Sequence, residues 1–240
     1  MLFRSLLQRM AGSNAEVISL AKDGWGTADE LAALRREGLA YRPDMVVVGV
    51  VTNDPSPPFT EPIGQSPRWV VFQSLSPGMM LSRLLDFRLN LLAEHFSWGY
   101  GYGDWENDLY DPNKGYRAKW EKAVFELSQE LLSRGIPAYA VLLVGPGQAN
   151  QENTWKFETL EDVFRKAGFK TYNLLESFMA RFQGIPVTAL FAFPDDRHPG
   201  PEVHEFYANE LWKILELDRH EKQRERNEPP NFQRQTIDAQ

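Results

Sequence analysis

Residues 45–54 read Met45-Val46-Val47-Val48-Gly49-Val50-Val51-Thr52-Asn53-Asp54. Five valines within seven residues favour extended backbone, because a β-branched side chain fits a pleated surface better than a helix. The run is apolar at successive positions rather than alternating, so both faces are expected to be buried, as in a central parallel strand. It ends abruptly in Thr52-Asn53-Asp54, three polar residues suited to a turn. A strand covered on both faces needs helices above and below, and the expected fold class is α/β, a three-layer α/β/α sandwich around a parallel sheet.

The flanking sequence agrees. Upstream, Val17-Ile18-Ser19-Leu20 reads as a short buried strand, followed by the loop Asp23-Gly24-Trp25-Gly26. Thr27 is expected to cap a helix, with Glu30 completing a capping box and Leu31, Leu34 and Leu39 forming the apolar stripe up to Pro43. Strand, helix and strand within some forty residues make a βαβ unit. Before it, Leu2, Phe3, Leu6, Leu7 and Met10 recur at helical spacing, so the chain opens in an amphipathic helix rather than a signal peptide.

Downstream, residues 55–115 form an irregular insertion. Pro55, Pro57, Pro58 and Pro62 stiffen its start, Met79 to Phe96 is expected to be helical, and residues 96–105 alternate aromatics with glycine. Regular structure is expected to resume as a helix over Tyr116 to Ser133 and a strand over Ala138 to Val144. A helix over Leu160 to Ala167 and a strand over Lys170 to Leu174 follow. Val187 to Phe193 is expected to be extended and Glu202 to Leu215 helical. One domain is thus expected over residues 1–216, with 217–240 a charged, mobile tail.

Composition narrows the function. The 240 residues are 42% hydrophobic and 25% charged, ordinary values for a globular domain. A formal net charge of -7 disfavours nucleic acid or an anionic membrane as partner. The absence of cysteine removes disulfides, thiolate nucleophiles and thiolate metal ligands together. No apolar run approaches the ~20 residues of a membrane span.

Three stretches carry candidate chemistry. In an open parallel sheet, ligands bind beyond the carboxyl ends of the strands. Gly24 and Asn53 each follow a strand, and Asp195 with His198 follow the last extended segment in Pro194-Asp195-Asp196-Arg197-His198-Pro199. An Asp three residues before a His can fix the imidazole tautomer and stabilise the imidazolium. A glycine amide and an asparagine amide can donate to a developing oxyanion. Singly, Gly24 reads first as a glycine permitting a tight turn before a helix, and Asn53 reads equally as an ordinary turn residue before Asp54-Pro55. Asp29 stands where a dinucleotide fingerprint needs its third glycine, and no Gly-Lys-Ser/Thr of a P-loop is present. His95, His204 and His220 read as packing or surface residues. Asp104, Glu106, Asp108 and Asp111 read as a solvated acidic turn, because the mid-loop Gly and terminal Glu of a calcium loop are missing.

Taken in order, these blocks resemble the SGNH (GDSL-type) hydrolases, which cleave esters with a Ser-His-Asp triad on a flavodoxin-like sheet. The resemblance spans about residues 1–216. Leu20-Ala21-Lys22-Asp23-Gly24-Trp25-Gly26-Thr27 is similar to the family's glycine block, Gly49-Val50-Val51-Thr52-Asn53-Asp54 to its Gly-x-Asn-Asp block, and Asp195-Asp196-Arg197-His198 to its Asp-x-x-His block. The resemblance implies Gly24 and Asn53 as oxyanion-hole residues, and Asp195 and His198 as catalytic residues. It also implies no metal or organic cofactor and a small-molecule or glycan ester as substrate.

Two departures stand out. Ser19 and Ala21 occupy positions where many relatives have Asn and Gly. The first block, a central strand ending in Gly-Asp-Ser with the nucleophile, is absent; Ser5 falls within the first helix and Ser13 in the break after it. The expectation is a nucleophile upstream of Met1, on a strand between the two of the βαβ unit, with any signal peptide lying there too. The alternative is a carbohydrate- or acyl-binding relative that has lost its nucleophile.

Overall fold

A computed structural model describes residues 2–13, 15–22, 24–58, 102–193 and 196–227, with a few isolated residues between 85 and 96. In chain order the elements are α1 (Leu2–Ala11), α2 (Thr27–Arg36), β1 (Val46–Val50), α3 (Tyr102–Asp108), α4 (Tyr116–Leu132), β2 (Ala138–Leu142), α5 (Thr154–Ala167), β3 (Lys170–Asn173), α6 (Leu175–Arg181), β4 (Phe191–Phe193), β5 (Asp196–Pro199) and α7 (Pro201–Asn227). They fall into two compact units, Ser19–Gly184 and the pair of segments Met1–Ile18 and Ile185–Gln240.

The Ser19–Gly184 unit holds a three-stranded parallel sheet in the order β1-β2-β3. Val46 pairs with Ala138 and Val50 with Leu142, while Leu142 also faces Asn173. All five residues of β2, Ala-Tyr-Ala-Val-Leu, are buried, as a strand laddered on both sides and covered on both faces must be. The flanking helices supply the cover. Along α4, Trp120, Val124, Leu127 and Leu131 recur every three or four residues and are buried. Along α5, Phe157, Leu160, Phe164 and Ala167 do the same. Leu31 and Leu34 bury the inner face of α2, which packs on α4. Each fully buried Leu, Phe or Val contributes roughly 1.5–3 kcal/mol of transfer free energy. The α/β sandwich with a parallel sheet is thus the observed architecture, around a small sheet.

Several elements differ from expectation. Residues 17–20 form no strand: Ile18 is exposed, and no ladder bond joins 15–22 to the sheet. Accordingly β1 is an edge strand among the described residues, although its sequence has the apolar character of a central one. The cap of α2 lies one residue earlier than the Thr27–Glu30 pattern suggests. Gly26 is the N-cap and Asp29 Oδ2 accepts its N–H at 3.3 Å, while Thr27 enters the helix and its hydroxyl accepts Trp120 Nε1–H at 3.2 Å. Helix α5 starts at Thr154, a turn and a half before the predicted Leu160. The expected helix at 79–96 falls almost wholly outside the described residues.

In the other unit α1 packs along α7, with Leu7 and Ala11 buried and Phe3 edge-on to Tyr207 at 6.4 Å. Gln8 and Arg4 hold the chain after α1, Gln8 Oε1 accepting Val17 N–H at 2.8 Å and Arg4 Nε donating to Val17 O at 2.7 Å. Residues 187–190 are a 3-10 turn, and Phe191–Phe193 pairs antiparallel with Asp196–Pro199. The expected last extended segment is therefore half of a small hairpin, separate from the parallel sheet. Helix α7 continues to Asn227, well into the charged stretch, where Glu, Lys and Arg have good helix propensity. Residues 228–240 lie outside the described residues.

Candidate functional site

Asn53 is presented by a turn that closes directly on the carboxyl end of β1. Asp54 N–H bonds Val51 O at 3.1 Å, Ser56 N–H bonds Asn53 O at 3.0 Å, and Asp54 Oδ2 accepts Val51 N–H at 3.0 Å. Thr52 and Asp54 are buried, and Asn53 between them is only half-buried. The backbone at Asn53 is thus held by the hydrogen bonds of its two buried neighbours.

Thr52 is the better-tied neighbour. Its hydroxyl donates to Glu106 Oε1 at 2.5 Å and accepts from Gln148 Nε2, and its carbonyl accepts Tyr110 OH at 2.6 Å. Gln148 Nε2 also reaches Glu106 Oε1 at 3.0 Å, while Gln148 Oε1 accepts Gly145 N–H at 3.3 Å. Glu106 Oε2 completes the network with Lys156 Nζ at 2.5 Å, both side chains 6% exposed or less. The turn after β1, the loop after β2, α3 and the first turn of α5 are thereby locked together. A buried ion pair is rarely retained for net stability, since desolvation offsets most of the attraction, but loss of either partner strands a charge. Glu106 is thus no part of a solvated acidic turn, although Asp108 in the same stretch does face Lys114 at 3.3 Å on the surface. The signal was on the other partner. Lys156 falls four residues before Leu160, on the buried stripe of α5, and a lysine there requires a buried counter-ion.

Asp54 meets a different neighbour. A Cβ on Gly26 would stand 2.7 Å from Asp54 O, so the glycine loop and the Asn53 turn are in direct contact and only glycine fits. In the first turn of α2, Glu30 Oε2 is sealed from solvent and no hydrogen bond reaches it. Burial, reinforced by Asp29, pushes the Glu30 carboxyl up to about 7. Burial and then the nearby Glu30 also raise Asp54 well above the usual carboxylate range, opposed by the Val51 N–H bond. Both carboxyls therefore give up their protons at higher pH than an ordinary carboxylate.

Gly24 is exposed with φ of 78°, the left-handed conformation that glycine adopts without strain. Gly24 and Asn53 thus belong to one unit, on loops that touch through Gly26 and Asp54. His198 belongs to the other unit, exposed on β5, and Asp195 lies outside the described residues. His204 behaves as a packing residue, edge-on to Tyr207 at 6.2 Å, with burial lowering its imidazole below the ordinary value. His95 and the side chain of His220 are outside the described residues. Among the described residues no cluster of His, Asp or Glu could hold a metal ion, and no helix is long and apolar enough to cross a membrane. No protein-family model, curated protein or solved structure matches this chain.

Proposed function

We propose that this protein is an ester hydrolase of the SGNH (GDSL-type) kind, acting on a small-molecule or glycan ester by Ser-His-Asp acyl transfer. In this reading a serine upstream of Met1, on a strand pairing with β1, attacks the carbonyl carbon through Oγ. His198 takes the hydroxyl proton, oriented by Asp195, and returns it to the leaving alcohol as the tetrahedral intermediate collapses to an acyl-enzyme. Water activated by His198 then releases the acid. Gly24 N–H and the Asn53 side-chain amide donate to the oxyanion, and no cofactor takes part.

The observation that carries the reading is the Asn53 turn, a half-exposed amide at the carboxyl end of a parallel strand, clamped on both sides and touching the glycine loop. Among the described residues no strand pairs with the outer side of β1, and this supports the upstream strand, because an edge of four valines and a glycine without lysine or proline is unusual for a strand meant to face water.

Intact mass of the protein from its native source, combined with labelling by a fluorophosphonate, tests the proposal. A mass above 27.6 kDa with label on a serine upstream of Met1 is the expected result. A mass equal to this chain with no label would sink it and leave the second reading, a binding relative without a nucleophile. Ser5, inside α1, and Ser13, just after it, end no strand, so neither serves as the nucleophile in either reading.

A further inference from the structure

Among the described residues a cavity of about 330 Å³ opens between α2, α4 and the turn after β1. Small-molecule sites of this size are mostly apolar, with a few placed polar groups that set orientation. Leu31 of α2, Trp120 of α4, and Pro55, Pro57 and Pro58 after the turn supply the apolar wall. The prolines stiffen their part of it, because each fixes its own φ. Asp54 lines the same cavity and is only 4% exposed.

Asp54 has bonding capacity left over. Its Oδ2 accepts Val51 N–H at 3.0 Å, while Oδ1 takes no hydrogen bond among the described residues. Unlike Glu30 Oε2, this Oδ1 is not sealed, and the space beside Asp54 is the cavity. Glu30, in the first turn of α2, sets a second acid close to it. The other charges on the packed elements are engaged elsewhere. Asp29 Oδ2 accepts Gly26 N–H, Arg35 pairs with Glu126 and Glu130, and Lys122 faces Glu126 at 3.9 Å. Lys119 and Lys122 also line the cavity but are exposed, where water and salt screen their charge.

The buried acid on α3 is handled differently. Glu106 is matched by Lys156 Nζ at 2.5 Å, with both side chains sealed. Asp54 is as deeply buried as Glu106, but no ammonium of the described chain reaches it, and a cavity lies alongside. A buried carboxylate without a cation is costly, and burial with the nearby Glu30 accordingly holds the Asp54 carboxyl well above the usual range.

We propose that this cavity binds a small organic amine, its ammonium paired with Asp54 through Oδ1 and its apolar body set against Leu31, Trp120 and the prolines. A neutral ligand gains no charge-assisted bond there, and an anion meets two acids. Where Asp54 is protonated, taking up the ammonium sends the carboxyl proton to solvent, one for each amine bound. The site goes beyond the esterase reading and does not rest on it, since amine binding requires neither a nucleophile nor ester turnover.

The test uses 3-phenylpropylamine as probe and 3-phenylpropan-1-ol, the same skeleton without the charge, as comparator. Isothermal titration of the 240-residue chain near pH 5 and near pH 8 reads affinity, and amide resonances of the isotopically labelled chain read location. The amine should move the amides of Asp54, Ser56 and Trp120, and bind about tenfold or more tighter at the higher pH. The alcohol should bind about tenfold or more weaker than the amine there, with little pH dependence. Asp54→Asn keeps an oxygen for Val51 N–H and removes the charge, so the preference for amine over alcohol should vanish. Ala28→Phe fills the cavity from α2 and leaves both acids in place; it should block the amine even if the Asn variant fails to fold. No saturable binding of the amine, equal affinity for amine and alcohol, or shifts confined to other parts of the chain overturn the site. Amine binding that survives Ala28→Phe, or a preference that survives Asp54→Asn, overturns it as well.

Discussion

Lys156 Nζ and Glu106 Oε2 lie 2.5 Å apart with both side chains sealed from water, and through Glu106 Oε1 the pair reaches the hydroxyl of Thr52. Charge and position are coupled here: the ion pair bonds Thr52, the residue next to Asn53. Glu106→Leu and Lys156→Met should each destabilise the fold by roughly 3–5 kcal/mol, since each leaves its partner buried and unpaired. The double variant Glu106→Leu/Lys156→Met should cost clearly less than the sum of the singles. Urea unfolding of the four proteins measures this coupling, and additive losses would show that the pair acts independently.

The acid pair gives a pH dependence of definite sign. Glu30 has a folded value near 7 against an ordinary 4.5, so the folded state holds a proton that the unfolded chain has released. Stability from this group is present in full below about 4.5 and is lost as pH rises toward 7, at up to ~1.4 kcal/mol per pH unit. The raised Asp54 acts in the same direction. Glu30→Gln keeps the shape and removes the titration. The wild-type minus variant difference in unfolding free energy should therefore fall between pH 4.5 and 7, and a flat difference would refute the linkage.

Gly26→Ala places a methyl group 2.7 Å from the carbonyl oxygen of Asp54, a backbone atom that cannot swing aside. The overlap should cost about 1–3 kcal/mol and push the Asn53 turn away from α2. Chemical-shift changes at Val51 to Ser56 exceeding those elsewhere in the Ser19–Gly184 unit are the expected signature. A variant as stable as wild type would mean the contact is looser than described.

Asn53→Ala tests the oxyanion role without touching the clamp, because the hydrogen bonds of the turn run through Thr52, Asp54 and backbone. On the esterase reading, kcat of the native enzyme toward p-nitrophenyl acetate should fall about 10²–10³-fold with KM and thermal midpoint nearly unchanged. A rise in KM alone would point to substrate binding instead.

Long apolar patterns were legible in the sequence and the polar tertiary contacts were not. The valines of β1 and the stripes of α4 and α5 announce themselves because burial of consecutive or periodic positions leaves a local trace. Val17 to Leu20 carries the same trace yet forms no strand, since a strand needs a neighbour to ladder with and pattern alone supplies none. The cap shifted from Thr27 to Gly26 because Asp29 and Glu30 compete for the same role and packing against Trp120 decided it. Glu106 carries no local sign of burial for a simpler reason: its partners Thr52, Gln148 and Lys156 lie 42 to 54 residues away, and nothing nearby betrays them. Gly24 and Asn53 could be singled out from their neighbours, but what grips the Asn53 turn could not.

Among the described residues nothing ladders with the outer flank of β1, which bears on how this chain behaves in a tube. A valine-rich strand unpaired on one side is a template for any extended peptide that drifts by, another copy included. Purified at high concentration, the 240-residue chain should cloud or elongate into thioflavin-positive assemblies. A short valine-rich peptide supplied in excess should keep it clear.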